Sequence, residues 1–192
     1  MIHDLHAFTG PRPPHDGGQG TVRGALVGCG PLSAACLLRW HAARLDRPLP
    51  PRDALAAELL TAQRAFIVPA TGGQRAVLPW DWLTGTNDWL RAQGLPLRAR
   101  GLWGVRRADA LERHLHRLFT AGTPAVGLEF SPRLQHYGLL SAYQPGPTLR
   151  ATLLVDGSDL HLAPRVGVGG VFWIEEGGPR ENLLRDNRGV SS

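Results

Sequence analysis

Lysine is absent from this chain. All 21 cationic side chains among its 192 residues are Arg, set against 16 carboxylates, for a formal net charge of +5. GC-rich coding favours Arg together with Ala, Gly and Pro, and avoidance of lysine modification inside a host would give the same bias. A positive surface attracts acidic partners. The arginines are scattered, however, with no cluster and no aromatic-rich RNA motif, which argues against nucleic acid as the partner. Cysteine is scarce too. Two residues, Cys29 and Cys36, make no disulfide framework. On one helix their Cα atoms would stand about 10 Å apart, beyond disulfide reach. No apolar run is long enough to span a membrane. The start, Met-Ile-His-Asp-Leu-His, lacks a basic segment followed by an apolar one, so no signal peptide is expected. The expected location is cytoplasmic, and export by a dedicated secretion system is compatible with it. At 43% apolar residues the chain can bury the core of one domain.

Charge is also missing locally, and this marks the central stretch. From Ala25 to Leu38 no charged side chain occurs. The run is rich in Ala, Leu and small residues, which suits a buried helix. Pro31 suits the first helical position, because its missing N–H costs nothing there. Cys29 then lies at the mouth of the helix, facing free N–H groups and the positive end of the dipole. A thiol at such a site is expected to have a lowered pKa and to serve as a nucleophile. The plainer alternative is a small buried cysteine next to a helix start. Cys36, inside the apolar run, reads as inert core.

The chain divides into a flexible or extended lead-in (1–22), a folded domain (23–176) and a disordered polar tail (177–192). Within the domain the central helix runs from about Pro31 to Arg44. Asp53 caps a second helix with Leu55, Leu59 and Phe66 near one face. Pro69 to Pro79 reads as a Gly-containing loop. Thr86 caps a short helix that carries Trp89 and Leu90 and stops at Gly94. Leu95 to Trp103 reads as a strand. A helix opens at Asp109, with Leu111, Leu115, Leu118 and Phe119 in one stripe, and closes at Gly122. Beyond it, segments 125–130, 137–143, 149–155, 160–162 and 171–175 read as strands separated by Gly, Pro, Asp and Ser. The expected layout is α+β, with helices on one side of an antiparallel sheet.

A thiol nucleophile needs a base, and the base needs an orienting group. His136 starts one strand and Asp156 ends a following one. A turn near Gln144-Pro145-Gly146-Pro147 would bring both to the same end of the sheet. There a carboxylate can fix the imidazole tautomer. Taken singly, His136 reads as a strand-edge histidine and Asp156 as a turn residue before Gly157. Other features carry less. His114 and His116 are two apart, point to different helix faces, and lack partners for zinc, so no metal site is expected. The mobile lead-in holds His3, His6 and His15. Gly167, Gly169 and Gly170 fit a strand bend better than a phosphate loop. Trp80 and Trp82 read first as core and second as the lining of a substrate groove.

Three segments carry a resemblance to a known family. They are Cys29-Gly30-Pro31 with Ser33, Ala34 and Ala35; Thr123 to Gly127 through His136-Tyr137-Gly138-Leu139-Leu140; and Leu154-Val155-Asp156-Gly157. Together they resemble papain-like cysteine peptidases of the bacteriocin-processing, double-glycine-leader type, as a bacterial stand-alone relative. A looser match is Thr86 to Leu95. The resemblance implies a papain-like fold, with a nucleophile helix packed on a C-terminal antiparallel sheet. It implies a Cys29, His136, Asp156 triad, a peptide or protein substrate and no cofactor. The family places a Gln shortly before the Cys to donate to the oxyanion. Position 23 here is Arg, and the nearest upstream Gln is Gln19. Gln19, Arg23 or a backbone N–H would fill that role, and loss of such a donor costs on the order of a hundredfold in turnover. The long interval from Cys29 to His136 suggests an insertion, with Pro69 to Leu83 as the candidate.

The function expected on this basis is thiol-dependent hydrolysis of a peptide or amide bond through a thioester. An amine acceptor would make the same machinery a transferase, and a side-chain amide would make it a deamidase. The rival expectation is a papain-like domain weakened at Arg23 that binds a peptide or protein partner. A third is an injected effector.

Overall fold

The computed structural model describes residues 4–14, 21–22, 25–26, 28–67, 75–104, 107–132 and 134–177. Its centre is helix α1, Cys29–Arg44, in which every residue from Gly30 to Leu38 is buried. The uncharged run therefore becomes a helix covered on all sides. Fully buried Leu37 and Leu38 each contribute about 1.5–3 kcal/mol by leaving water. Helix α2, Arg52–Ala62, packs on α1. It starts before Asp53, with Pro51 at the N-cap, so Asp53 lies in the first turn instead of capping it. Leu55 and Leu59 are buried, whereas Phe66 is exposed in a two-residue strand outside the helix.

Helix α3 spans Pro79–Ala92, with Pro79 in its first turn. Thr86 is thus mid-helix and not a cap. Its hydroxyl donates to Trp82 O, one turn back, and accepts from the Gln63 amide. Trp82, Trp89 and Leu90 belong to the core, so this helix is part of the domain's frame. Helix α4, Ala108–Thr120, buries Leu111, Leu115, Leu118 and Phe119 as one stripe. Gly94 and Gly122 end α3 and α4 with positive φ.

A seven-stranded sheet receives these helices. Its strands are β1 (His6–Ala7), β6 (Leu97–Trp103), β7 (Val126–Phe130), β8 (Gln135–Gln144), β9 (Arg150–Leu153), β10 (Asp159–His161) and β11 (Val168–Glu176). Two small hairpins, β2–β3 (Thr21–Val22, Ala25–Leu26) and β4–β5 (Phe66–Ile67, Arg75–Ala76), lie apart from it. The order is β10-β9-β8-β7-β11-β6, and every pairing is antiparallel. The chain is therefore α+β with an antiparallel sheet.

The helices do not share one side of it. Alternate residues of the inner strands are apolar on both faces: Leu139 and Phe172 meet α1, α2 and α3, while Leu140, Val171 and Trp173 meet α4. Two cores follow, one on each face. The lead-in is extended and docked over residues 4–14. His6 and Ala7 pair with Tyr143 and Ala142, Phe8 is buried beside Phe119, and Trp40 Nε1 donates to Pro11 O at 2.7 Å. The expected tail beyond Gly177 lies outside the described residues, as do His3 and His15.

Candidate active site

Cys29 is the first residue of α1, and the fold holds it there by close backbone approaches. A Cβ at Gly28 would lie 2.2 Å from Arg75 O, so only glycine fits beside the β5 backbone. Trp82 Nε1 donates to Gly30 O at 3.1 Å, and Ser33 Oγ donates to the same carbonyl at 2.9 Å. No side chain caps the helix. The N–H groups of Cys29 and Gly30 precede the first intrahelical bond and bias the Cys29 thiol towards ionisation.

The sheet delivers the other partners. Tyr137 N–H, in β8, donates to Cys29 Sγ at 3.3 Å, joining positions 108 residues apart. His136 is its chain neighbour. Leu154 N–H donates to Leu139 O at 2.8 Å and carries the β8–β9 pairing on towards His136 and Asp156. Cys29, His136 and Asp156 line one cavity of about 320 Å³. The turn expected near Pro145 thus brings His136 and Asp156 to one end of the sheet, over the helix mouth. Among the described residues no direct hydrogen bond joins the His136 ring to Sγ or to Asp156. Exposed Asp156 accepts from Ser158 N–H at 2.9 Å and from Ser158 Oγ–H at 2.7 Å, so it shapes its own turn as well as facing His136.

The electrostatics differ from the sequence expectation. Burial pushes the Cys29 thiol up, against the smaller downward pulls of the Tyr137, Gly30 and Cys29 backbone N–H groups. The helix mouth alone would have lowered it, but β8 closes over the sulfur and desolvation dominates. Burial also pushes His136 down, and the Asp156 carboxylate partly opposes this. Asp156 itself is held low by Ser158, with a smaller contribution from His136. Both shifts favour the uncharged forms, a thiol and an imidazole. A neutral imidazole is the form that can accept a proton from sulfur.

The remaining candidates fall elsewhere. Trp82 is fully buried and supports the α1 mouth, while Trp80 is exposed; neither lines this cavity. Gln19 and Arg23, the oxyanion candidates, lie outside the described residues. Cys29 and Cys36 are not joined by a disulfide, and Cys36 also borders the cavity. His114 packs on Trp173 and His116 on Tyr143, on separate neighbours. Two contributors were not visible in the sequence. Tyr137 acts through its backbone N–H, which its side chain does not announce, although its place beside His136 is a signal. Arg52 lines the cavity from the first turn of α2. Its signal was a cation where a helix start favours an anion. No protein-family model, curated protein or solved structure matches this chain.

Proposed function

We propose that this chain is a thiol-dependent hydrolase of peptide or amide bonds, of papain-like type, with Cys29 as nucleophile, His136 as base and Asp156 as its orienting carboxylate. The observation that carries the reading is the 3.3 Å hydrogen bond from Tyr137 N–H to Cys29 Sγ, made at a cavity that His136 and Asp156 also line. A donor aimed at sulfur stabilises the thiolate as it forms. In the reaction, Sγ bonds to the carbonyl carbon while its proton passes to the His136 imidazole. The carbonyl oxygen becomes an oxyanion beside the helix-mouth N–H of Cys29. Collapse expels the amine, which takes the proton from His136, and leaves a thioester. Water, deprotonated by His136, releases the acid and restores the thiol.

A second reading, peptide binding without turnover, is favoured by the burial that raises the Cys29 thiol and by the engagement of Asp156 with Ser158. Iodoacetamide labelling of Cys29 against pH, in wild type and His136→Ala, separates the two. The hydrolase reading expects wild-type labelling at pH 7 to exceed that of the variant by at least about tenfold, since an unassisted buried thiol ionises only near or above pH 8.5. Identical profiles that rise only in alkali would support the binding reading.

A further inference from the structure

Three buried side-chain atoms find no hydrogen-bond partner among the described residues: His41 Nε2, Gln63 Oε1 and Arg75 Nε. His41 and Gln63 are uncharged at neutral pH, His41 because burial lowers its pKa to about 4. Arg75 keeps its charge at every physiological pH, so its open Nε–H is the costliest of the three. A buried donor without an acceptor calls for an explanation, and a catalytic role is one.

The place of Arg75 in the fold supplies that role. It opens β5, and the chain is still extended at Leu78. A Cβ added at Gly28 would meet Arg75 O at 2.2 Å and Arg75 Cβ at 3.8 Å, and one added at Gly30 would meet Val77 Cβ at 3.2 Å. Segment 75–77 therefore runs beside 28–30, with Cys29 in the middle. Residues two apart in an extended chain share a face. Arg75 thus leaves β5 on the face of Val77, the one that packs on the mouth of α1. From β8, Tyr137 N–H donates to Cys29 Sγ, and the Tyr137 hydroxyl donates to Val77 O at 3.2 Å. Cys29 is flanked by β8, which carries His136, and by β5, which carries Arg75.

We propose that Arg75 is a further catalytic residue: its Nε–H donates to the oxygen of the carbonyl that Cys29 attacks and, with the Cys29 N–H, holds the negative charge that develops there. A cationic donor in a desolvated place gains most when its acceptor becomes an anion, so the contact strengthens from ground state to transition state. Arg75 then fills from the other side of the helix mouth the role that the sequence suggested for Gln19 or Arg23. The inference rests on the reading of Cys29 as the nucleophile.

Two reactions of the same sulfur test it without a known substrate. With 4-nitrophenyl acetate, Sγ bonds to the carbonyl carbon, its proton passes to His136, and the carbonyl oxygen carries a negative charge until 4-nitrophenolate leaves and an acetyl thioester remains. With iodoacetamide, Sγ displaces iodide and no oxyanion forms. The first rate is read from 4-nitrophenolate released, less that from Cys29→Ala, and the second from labelled Cys29 by fragment mass. Their ratio cancels changes in the nucleophile or the fold. We expect Arg75→Gln to lower the acylation-to-alkylation ratio by at least about tenfold, as loss of an oxyanion donor does. Arg75→Met, which keeps an unbranched apolar stem, repeats the measurement should Arg75→Gln not fold. A smaller fall in the ratio overturns the inference. If acylation still depends on His136 in that case, the hydrolase reading stands without Arg75. If wild-type Cys29 is acylated no faster than in His136→Ala, the hydrolase reading falls, and the Arg75 assignment falls with it.

Discussion

Burial acts on the Cys29 thiol and the His136 imidazole in opposite directions, and in both it favours the uncharged form. On the proposed hydrolase reading the proton moves as the carbon–sulfur bond forms, so the His136 pKa sets the acid limb of reactivity. Burial lowers that pKa and the Asp156 carboxylate raises it. Removing the carboxylate charge should therefore lower it further. An NMR titration of the His136 ring is expected to show a midpoint below 6.5 in wild type and a lower one in Asp156→Asn. The acid limb of Cys29 alkylation should shift to lower pH with it. A midpoint that does not move would show that Asp156 has no electrostatic hold on the ring. At this scale the sequence was informative about residue types and uninformative about protonation. Cys29, His136 and Asp156 stood out by kind and order. The direction of the thiol's shift depended on how deeply Tyr137 and β8 cover it, and no local pattern encodes that.

Among the elements, α1 and α4 were the most legible, because an uncharged run and an i, i+4, i+7, i+8 stripe each have one simple burial solution. Helix α3 starts earlier than its sequence suggests, for a physical reason. Thr84-Gly85-Thr86 carries the composition of a loop, yet Gly85 is there because α2 crosses it closely. A Cβ at position 85 would lie 2.2 Å from Ala62 O and 2.6 Å from Gln63 Cα. The glycine records a helix–helix contact and not a turn. Gly85→Ala should therefore destabilise the fold by about 1–3 kcal/mol, although alanine is the better helix former. Urea denaturation would reveal this as a lower midpoint at unchanged slope. A stabilised variant would mean that α2 and α3 separate freely.

For the whole molecule, the main surprise was the two-sided sheet. Periodicity marked each strand but could not say that α4 would take the opposite face from α1, α2 and α3. That choice followed from strands whose alternate residues are apolar on both sides. A second whole-molecule property lies in His41, buried on α1 between the helices and the sheet. Burial, with the nearby Arg44 charge, lowers its pKa to about 4, and the Ile174 backbone partly opposes this. Between pH 6.5 and about 4 the unfolded chain binds a proton that the folded chain refuses. Stability therefore falls with pH across that window, by about 2–3 kcal/mol at pH 4.5 from this group alone. His136, also lowered, adds in the same direction. Comparing urea midpoints at pH 7 and 4.5 in wild type and His41→Leu isolates the His41 share. An equal pH dependence in both proteins would assign the effect elsewhere.

The position of β11 has a consequence for how the chain is made. The most C-terminal strand among the described residues lies between β7 and β6 in the sheet, so neither neighbour gains its full set of partners until β11 has been made. Cys29 emerges from the ribosome before β11, which follows it on the order of ten seconds later at ordinary rates of synthesis. Until β8 has been made and docked, the sulfur lacks the Tyr137 N–H that meets it in the folded chain. On the proposed reading, the Cys29–His136 pair is therefore assembled only once β8 has docked on the mouth of α1, well after the thiol itself has been made.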